Sequence, residues 1–187
     1  MKRIVFFCLI GLLALSLNAQ TDAKQVKTAT DQDRKAELKL QGYVDLGLPS
    51  GTLWKDQNEE SGFLTYNLAV SQYGDNLPTK EQMEELRNSC EWTWNGKGYK
   101  VVGPSGEFIV LPALGYLDCN RESRGMGLDP NATGDYMFTG SYWSSSKSGV
   151  DLDGASRACV LFFNSNKINV GAFDFCNWMS VRLVKSK

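Results

Sequence analysis

The chain has 187 residues, of which 42% are hydrophobic and 11% aromatic, and this content is enough for one folded domain with a sizeable core. Its 20 basic residues nearly balance its 21 acidic residues, so nothing indicates the basic surface that nucleic-acid binding requires. The chain has no histidine, which excludes Ser-His-Asp catalysis, Cys-His catalysis and histidine metal sites.

Residues 1–19 predict a secretory signal peptide. Lys2 and Arg3 form a short positive segment, an apolar run follows as far as Leu17, and Ala19 supplies the small residue at which cleavage is expected. The alternative is a retained membrane anchor, but the run is too short and its flanks are unsuitable for one. We therefore expect an exported protein, located in the periplasm, at the cell surface or outside the cell, with no membrane span after cleavage.

Two further parts are expected after the signal peptide. Residues 20–41 are polar and lack aromatic side chains, which predicts a spacer with a frayed helix from Asp31 onward. From Gly42 the composition changes to glycine, aromatic residues and short alternating runs. This change predicts a β-rich domain over residues 42–187.

The start of the domain is predicted to contain two short strands. The run "YVDLGLP" places Val44, Leu46 and Leu48 on one face and polar or small residues on the other, which predicts a half-buried strand. A Pro-Ser-Gly turn follows, and "TLW" predicts a second short strand.

The segment "LPTKEQMEELRNSC" is the one helix that we predict with a complete set of signals. Thr79 and Gln82 have the spacing of a capping box at its start. Met83, Leu86 and Cys90 share one stripe, which predicts the face that packs on the core. On that stripe, we interpret Cys90 as a small buried side chain rather than a reactive thiol.

The second half of the domain predicts hairpins. "GYKVVGPSGEFIVLPALGY" and "SRACVLFFNSNKINVGAF" each contain two strands around a turn, and "WMSVRLV" predicts a closing alternating strand. The fold class is therefore α+β, mostly antiparallel β with one helix and long loops. Four cysteines remain after cleavage of the signal peptide, without a C-x-x-C pair, and allow three complete pairings.

Five motifs occur in a fixed order: "YVDLGLPSGTLW", "NLPTKEQMEEL", "CEWTWNGKGYKVVGPSGEFIVLPALGY", "YWSSS" and "SVRLV". Together they resemble the Fibrobacter succinogenes major paralogous domain family, found among exported proteins of Bacteroidota-type bacteria, over Tyr43 to Val184. The resemblance implies an architecture akin to C-type-lectin-like and formylglycine-generating-enzyme-like folds. It also implies that the first and last strands pair, here "YVDLGLP" with "SVRLV". No established activity of the family carries over, and the short segment from Lys55 to Asn76 departs from its commoner pattern.

The same resemblance implies a disulfide. Family members often carry cysteines at the positions of Cys119 and Cys176, next to strands that would be neighbours in the implied fold. We therefore expect the bond Cys119–Cys176, with Cys90 and Cys159 free and buried.

The stretch "GSYWSSSKSG" raises a catalytic possibility, because Ser144 and Lys147 have the S-x-x-K spacing of penicillin-binding serine enzymes. In those enzymes the serine opens a helix, whereas the residues after Lys147 have a loop composition, and the partner motifs S-D-N and K-T-G are missing. We therefore interpret "YWSSS" as structural. Tyr142 and Trp143 would supply apolar area, and the serine hydroxyls would bond turn amides.

The expected binding surface is the glycine-rich loop from Asp118 to Gly140, because loops on a rigid sheet often carry ligand contacts. The long loop of C-type-lectin-like folds implies the same place. The loop holds a mixed polar set suited to hydroxyl-rich ligands, and the ligand-binding candidates are Arg121, Asp129, Asn131 and Asp135. The alternative is a variable loop that binds nothing.

Two further candidates are weaker. Trp92 and Trp94 alternate and would form a stacking platform for sugars if exposed, although the family resemblance implies that at least one lies in the core. Asp151 and Asp153 offer oxygen ligands to calcium, but the complete EF-hand spacing is missing, and we favour a solvated turn. We expect no resident metal and no cofactor.

The function expected from these observations is a non-catalytic exported module that binds a ligand or displays a surface. Carbohydrate and cell-surface protein are the expected partner classes. A structural or assembly module of a cell-surface appendage is the alternative. An enzyme of the formylglycine-generating type is a third reading, but it needs a close pair of cysteines near the C-terminus, and here Cys159 and Cys176 are far apart.

Overall fold

A computed structural model describes residues 30–126, 138–150 and 154–187. The chain divides into two compact units, Met1–Gln41 and Gly42–Lys187. In the first unit, residues 30–40 form helix α1. No helix in the described ranges is both long enough and apolar enough to cross a membrane.

The second unit is a mixed α and β fold in which most strands pair antiparallel. Its helices are α2 (Tyr66–Tyr73) and α3 (Lys80–Ser89), with a 3-10 turn at Gly74–Asn76. Its strands are β1 (Tyr43–Val44), β2 (Leu53–Lys55), β3 (Glu91–Trp94), β4 (Gly98–Val102), β5 (Phe108–Pro112), β6 (Tyr116–Leu117), β7 (Ser123–Arg124), β8 (Gly140–Val150), β9 (Ser156–Phe163), β10 (Ile168–Asp174) and β11 (Val184–Lys185).

The prediction of one helix in the β-rich domain is wrong, because α2 is present there as well as α3. Helix α1 lies where the sequence predicted a frayed helix from Asp31 onward. Helix α2 gives weak signals in the sequence. Thr65 precedes it without a side-chain capping bond, and only Tyr66 and Ala69 of its residues are buried. Two buried residues are too few to show the repeat of a helix, so the sequence of α2 looks like that of a loop.

Helix α3 confirms the predicted capping box. The Gln82 backbone N–H donates to Thr79 Oγ1 at 3.3 Å, and the Thr79 N–H donates to Gln82 Oε1 at 2.8 Å. Met83 and Leu86 are fully buried. Cys90 is free and half-buried. It is the C-cap residue, where the backbone is already extended, so it does not continue the helical stripe of Met83 and Leu86.

We expect Thr79→Ala to lower the free energy of unfolding by about 1 kcal/mol, because it leaves one N–H of the first helical turn without its acceptor. Urea unfolding followed by circular dichroism measures this change. Thr79→Ser keeps the hydroxyl and serves as the control, with stability close to that of the parent protein. Equal losses in the two variants would contradict the capping role.

The first and last strands do not pair directly, and this prediction is wrong. Strand β2 lies between them in a three-stranded antiparallel sheet of order β1-β2-β11. The turn at residues 49–51 brings β2 back along β1, so β2 fills the edge of β1 and offers its own free edge to β11. Leu46 and Leu48 are buried as the alternation predicts, although the strand itself ends at Val44.

The predicted hairpins are confirmed in two larger sheets. Strands β4 and β5 pair antiparallel, with β3 on the other side of β4. Strands β8, β9 and β10 form the second antiparallel sheet. In the first core cluster, α3 and the sheet of β3 to β5 pack against one face of β8 and β9. The largest fully buried members of this cluster are Trp54, Tyr142, Phe163, Leu46, Met83, Leu86, Ile109, Leu111 and Leu161.

The second core cluster covers the other face of β8 and β9. It contains Leu64, Tyr66, Ala69, Leu77, Trp143, Ala158, Val160, Met179, Val181 and Leu183. The closing segment contributes to it in a way the alternation did not predict. All residues from Met179 to Val184 are buried, and only Val184–Lys185 is a regular strand. Polar Ser180 and Arg182 are buried too, because isolated bridges connect this segment to Leu64 and Tyr142 on different sides.

The "YWSSS" motif lies within strand β8, and its serine hydroxyls form hydrogen bonds to backbone groups. Ser144 is fully buried, and its hydroxyl donates to the Cys159 carbonyl at 2.7 Å. Ser146 Oγ accepts the Lys80 N–H at 2.9 Å and thereby bonds the first turn of α3. The register shifts between Trp143 and Lys147, as in a β-bulge, which frees the serine hydroxyls for these bonds.

Candidate functional site

A disulfide joins Cys119 and Cys176, as the family resemblance implied. The two Cα atoms are 4.9 Å apart, and 57 positions separate the residues in the sequence. Cys119 lies in the turn between β6 and β7, and Cys176 lies just after β10. Both cysteines are exposed, so the bond lies at the surface rather than inside either core cluster.

The first part of the expected long loop is a small hairpin. Strands β6 and β7 pair through Tyr116↔Arg124 and Leu117↔Ser123. Asp118 organises the turn, because its Oδ1 accepts the N–H groups of Asn120 at 2.9 Å and Glu122 at 3.0 Å. A carboxylate that accepts backbone N–H groups in this way stabilises a tight turn.

Arg121 extends from this turn over an aromatic ring. Its guanidinium carbon lies 4.8 Å from the centre of the Trp178 ring, a cation–π arrangement. The Arg121 backbone has a φ of 64°, in the left-handed region that non-glycine residues rarely adopt. The loop composition of the sequence pointed to Arg121 but not to Trp178. Its position two residues after a cysteine was the available signal.

The same hairpin carries a group of ion pairs. Arg124 Nη2 lies 2.6 Å from Asp118 Oδ2 and 2.6 Å from Glu122 Oε2. The hydrogen bond from Arg124, together with those from the backbone, lowers the pKa of Asp118 below its ordinary value. We call Asp118, Arg121, Glu122, Arg124 and Trp178 the hairpin surface. Its ion pairs are exposed and contribute little stability, so its charged groups remain accessible to a ligand.

Asp174 lies beside the disulfide. Its carboxylate and the sulfur atoms of Cys119 and Cys176 lie within 4.8 Å of one another, and Arg157 Nε donates to Asp174 Oδ1 at 2.6 Å. Two thiolates and a carboxylate would suit a metal ion, but here the sulfurs are bonded to each other. The group therefore acts as a disulfide next to an ion pair.

Trp92 and Trp94, the candidates for a stacking platform, lie on the core-facing side of β3. Both are half-buried and pack against the first core cluster. Their rings meet the Tyr99 ring edge to face, at centroid distances of 5.5 and 5.1 Å. The Trp92 indole N–H also donates to the Leu86 carbonyl at 3.3 Å. Because alternate residues of β3 face the core, these two tryptophans serve packing, and Thr93 takes the exposed side.

The remaining candidates, Asp129, Asn131, Asp135, Asp151 and Asp153, lie outside the described residues. Of the candidate residues in the loop, Arg121 is the one within the described residues, and it lies in the hairpin surface.

The two other cysteines of the domain are free thiols. Burial, with a smaller contribution from Glu85, raises the pKa of Cys90 to about 11, so its thiol is protonated at neutral pH. Burial also raises the pKa of Cys159. A nucleophilic cysteine needs a lowered pKa, and neither thiol has the environment for it.

A shallow cleft is lined by residues outside the hairpin surface. Its volume is about 130 Å³, and its lining residues are Asn58, Glu59, Gly62, Phe63, Leu114 and Ser180. The Glu59 carboxylate in this lining is already paired with Lys55 Nζ at 2.7 Å. The cleft offers mainly apolar contact with few polar groups, and no sequence pattern indicated it.

No protein-family model, curated protein or solved structure matches this chain.

Proposed function

We propose that residues 42–187 form an exported, non-catalytic ligand-binding or surface-display module whose contact site is the hairpin surface. Carbohydrate is the ligand class to test first, with cell-surface protein second. We also propose membership of the Fibrobacter succinogenes major paralogous domain family, with a C-type-lectin-like arrangement. The five ordered motifs support the family, and the apolar N-terminal run supports export. The disulfide is consistent with an oxidising compartment.

The observation that carries this proposal is the stack of Arg121 on Trp178 beside two carboxylates. Aromatic rings give sugars an apolar contact face, while guanidinium and carboxylate groups donate to and accept from hydroxyls. The carboxylates of Asp118 and Glu122 are fixed by Arg124 at 2.6 Å each. A disulfide holds the turn that carries Arg121, so little ordering is needed when a ligand binds.

Two features favour a binding role over the enzyme alternative. The formylglycine-generating reading needs a cysteine pair free to bind copper, whereas Cys176 is bonded to Cys119. In the S-x-x-K reading, Ser144 would have to be accessible, whereas it is fully buried and donates its hydrogen bond to a backbone carbonyl.

Arg121→Ala and Trp178→Ala should each weaken binding to a glycan identified on an array by about tenfold or more, as expected for central contact residues. The array is first screened with the purified domain, and affinity is then measured by calorimetry. Arg87→Ala is the matched control, because Arg87 is a partly exposed arginine on α3 whose bond at 3.1 Å reaches only its neighbour Asn88. The control should bind like the parent protein.

Unchanged affinity in both hairpin variants would place the contact site elsewhere. An equal loss in the Arg87 variant would show that binding follows net charge and not the hairpin surface.

The assembly alternative has one observation in its favour. Phe108 and Val110 project from the outer face of β5 with 48% and 37% of their surfaces exposed, and Leu114 is 48% exposed. Exposed apolar side chains of this size are typical of protein contacts when they are contiguous. Cross-linking in the native envelope tests this alternative, with Phe108→Ser as the variant that should abolish any cross-linked species.

A further inference from the structure

The disulfide lies next to the Arg121–Trp178 stack in the sequence of both segments that it joins. Arg121 lies two residues after Cys119, and Trp178 lies two residues after Cys176. The covalent bond therefore joins the two segments directly beside the two side chains that stack at 4.8 Å. Both sulfurs belong to exposed residues, so a small thiol in solution can approach them.

Other contacts hold the base of the hairpin rather than its tip. At the base, Leu117 and Trp178 exchange backbone hydrogen bonds of 3.0 and 2.8 Å, and the Tyr116 ring meets the Phe173 ring at 5.8 Å. The tip is residues 118–122. Within the described part of the chain, its hydrogen bonds stay inside the hairpin itself. The disulfide and the Arg121–Trp178 stack connect the tip to the rest of the domain.

A hairpin with two paired residues per strand is marginal in water by itself. One exposed cation–π contact contributes about 0.5–1 kcal/mol, which does not hold a turn firmly. In contrast, the two core clusters contain neither cysteine, and neither cluster depends on the tip. The consequences of breaking the disulfide should therefore be local in the native state.

We propose that the Cys119–Cys176 bond is a thiol-sensitive clamp: its reduction releases the hairpin tip and separates Arg121 from Trp178 while the two core clusters stay packed. A thiolate attacks one of the two sulfurs, the S–S bond breaks, and the other cysteine leaves as a thiolate that takes up a proton. A second thiol then displaces the mixed disulfide. The protein disulfide gains two electrons, and two reductant thiols are oxidised to one disulfide.

The two free cysteines do not interfere with this cycle. Cys159 is buried, and Cys90 is half-buried with its thiol protonated at neutral pH. Reoxidation by a small disulfide, which is itself reduced to two thiols, should therefore restore the original pair. The consequence for ligand binding rests on the proposed function, but the release of the tip does not.

Limited trypsin digestion tests the clamp, because Arg121 and Arg124 place two tryptic sites in the hairpin. In the oxidised protein we expect slow cleavage at both. After treatment with excess dithiothreitol, cleavage there should accelerate by about tenfold or more, since cleavage follows the population of the open form. Arg87 and Lys100 are internal reference sites in α3 and β4, and cleavage at them should stay slow.

Trp178 gives an independent signal. Reduction should change the tryptophan fluorescence, and Trp178→Phe should remove most of that change. The variant with Cys119→Ser and Cys176→Ser should be cut at the hairpin without reductant, and reductant should have no further effect on it.

Three results would overturn the clamp. They are equal hairpin cleavage before and after reduction, cleavage at the reference sites that accelerates as much as in the hairpin, and an unchanged fluorescence signal. If the tip is released but glycan affinity is unchanged, the clamp stands and the proposed binding site is wrong.

Discussion

Replacement of Arg182 with alanine should lower the free energy of unfolding by about 3–5 kcal/mol. The Arg182 side chain is 1% exposed, although the alternating pattern of the closing segment would place it towards solvent. Its guanidinium donates to Asn58 Oδ1 at 2.9 Å, to the Lys55 carbonyl at 2.9 Å and to the Val110 carbonyl at 2.7 Å. Alanine would remove these three part-buried hydrogen bonds and would open a cavity.

The groups that accept hydrogen bonds from the Arg182 guanidinium are neutral: one side-chain amide and two backbone carbonyls. No carboxylate of the described residues lies within ion-pair distance of its guanidinium. Burial lowers the pKa of Arg182, while the more distant carboxylates of Asp56 and Glu59 oppose that shift. Burial also raises the pKa of Tyr142, its neighbour, to about 12, so the phenol stays neutral. Carbonyl dipoles from β2 and β5 therefore hold this cation.

Chemical denaturation followed by circular dichroism measures the loss. Arg182→Lys keeps the charge but cannot form the three bonds of the planar guanidinium together, so its stability should lie between those of the parent protein and the alanine variant. Arg87→Ala is the matched surface control, with a change within about 0.5 kcal/mol. A loss below about 1 kcal/mol in Arg182→Ala would contradict the structural role.

The sequence was most informative where one local rule decides the structure. Helix α3 has a capping box and a stripe that includes Met83 and Leu86, and both signals are local. The hairpins of β4–β5 and β9–β10 likewise depend on alternation around a nearby turn. Such elements were predicted correctly because their causes lie within about ten residues of one another.

The failures share a different cause. Strand β2 lies between β1 and β11 because of pairing across most of the domain, which the pattern of each strand does not encode. The closing segment alternates in sequence, yet Ser180 and Arg182 are buried because other segments cover both of its sides. Burial of that kind depends on contacts between distant parts of the chain, and local periodicity carries no information about them.

The candidate site divides in the same way. Arg121 was found because it lies in a polar, glycine-rich stretch, and a loop composition is visible in the sequence. Trp178 was missed because the disulfide and the Leu117 bridge bring it to Arg121 from far along the chain. The alternation of Trp92 and Trp94 was read correctly as one face of a strand, but which face meets the core was decided by the packing of Tyr99.

Trp143→Ala should also lower the free energy of unfolding by about 3–5 kcal/mol, as for other large aromatic side chains removed from a core. Trp143 is fully buried in the second core cluster. Its indole N–H donates to the Leu64 carbonyl at 2.7 Å, and its ring meets the Tyr66 ring edge to face at 5.6 Å. The substitution would remove the largest side chain of the cluster and one of the two donors to the Leu64 carbonyl, the other being the Met179 N–H.

Thermal unfolding of two variants separates the contribution of ring packing from that of the indole hydrogen bond. For a domain of this size, each kcal/mol shifts the Tm by about 2–4 °C, so Trp143→Ala should lower the Tm by roughly 6 °C or more. Trp143→Phe keeps an aromatic ring but loses the indole donor, and it should cost about 1–3 kcal/mol through the lost hydrogen bond and the smaller ring, while the Met179 N–H still donates to the Leu64 carbonyl at 2.9 Å. A Tm within about 2 °C of the parent protein for Trp143→Ala would contradict the packing role. The motif "YWSSS" would then need an explanation other than the structural one, because Trp143 is its most deeply anchored side chain.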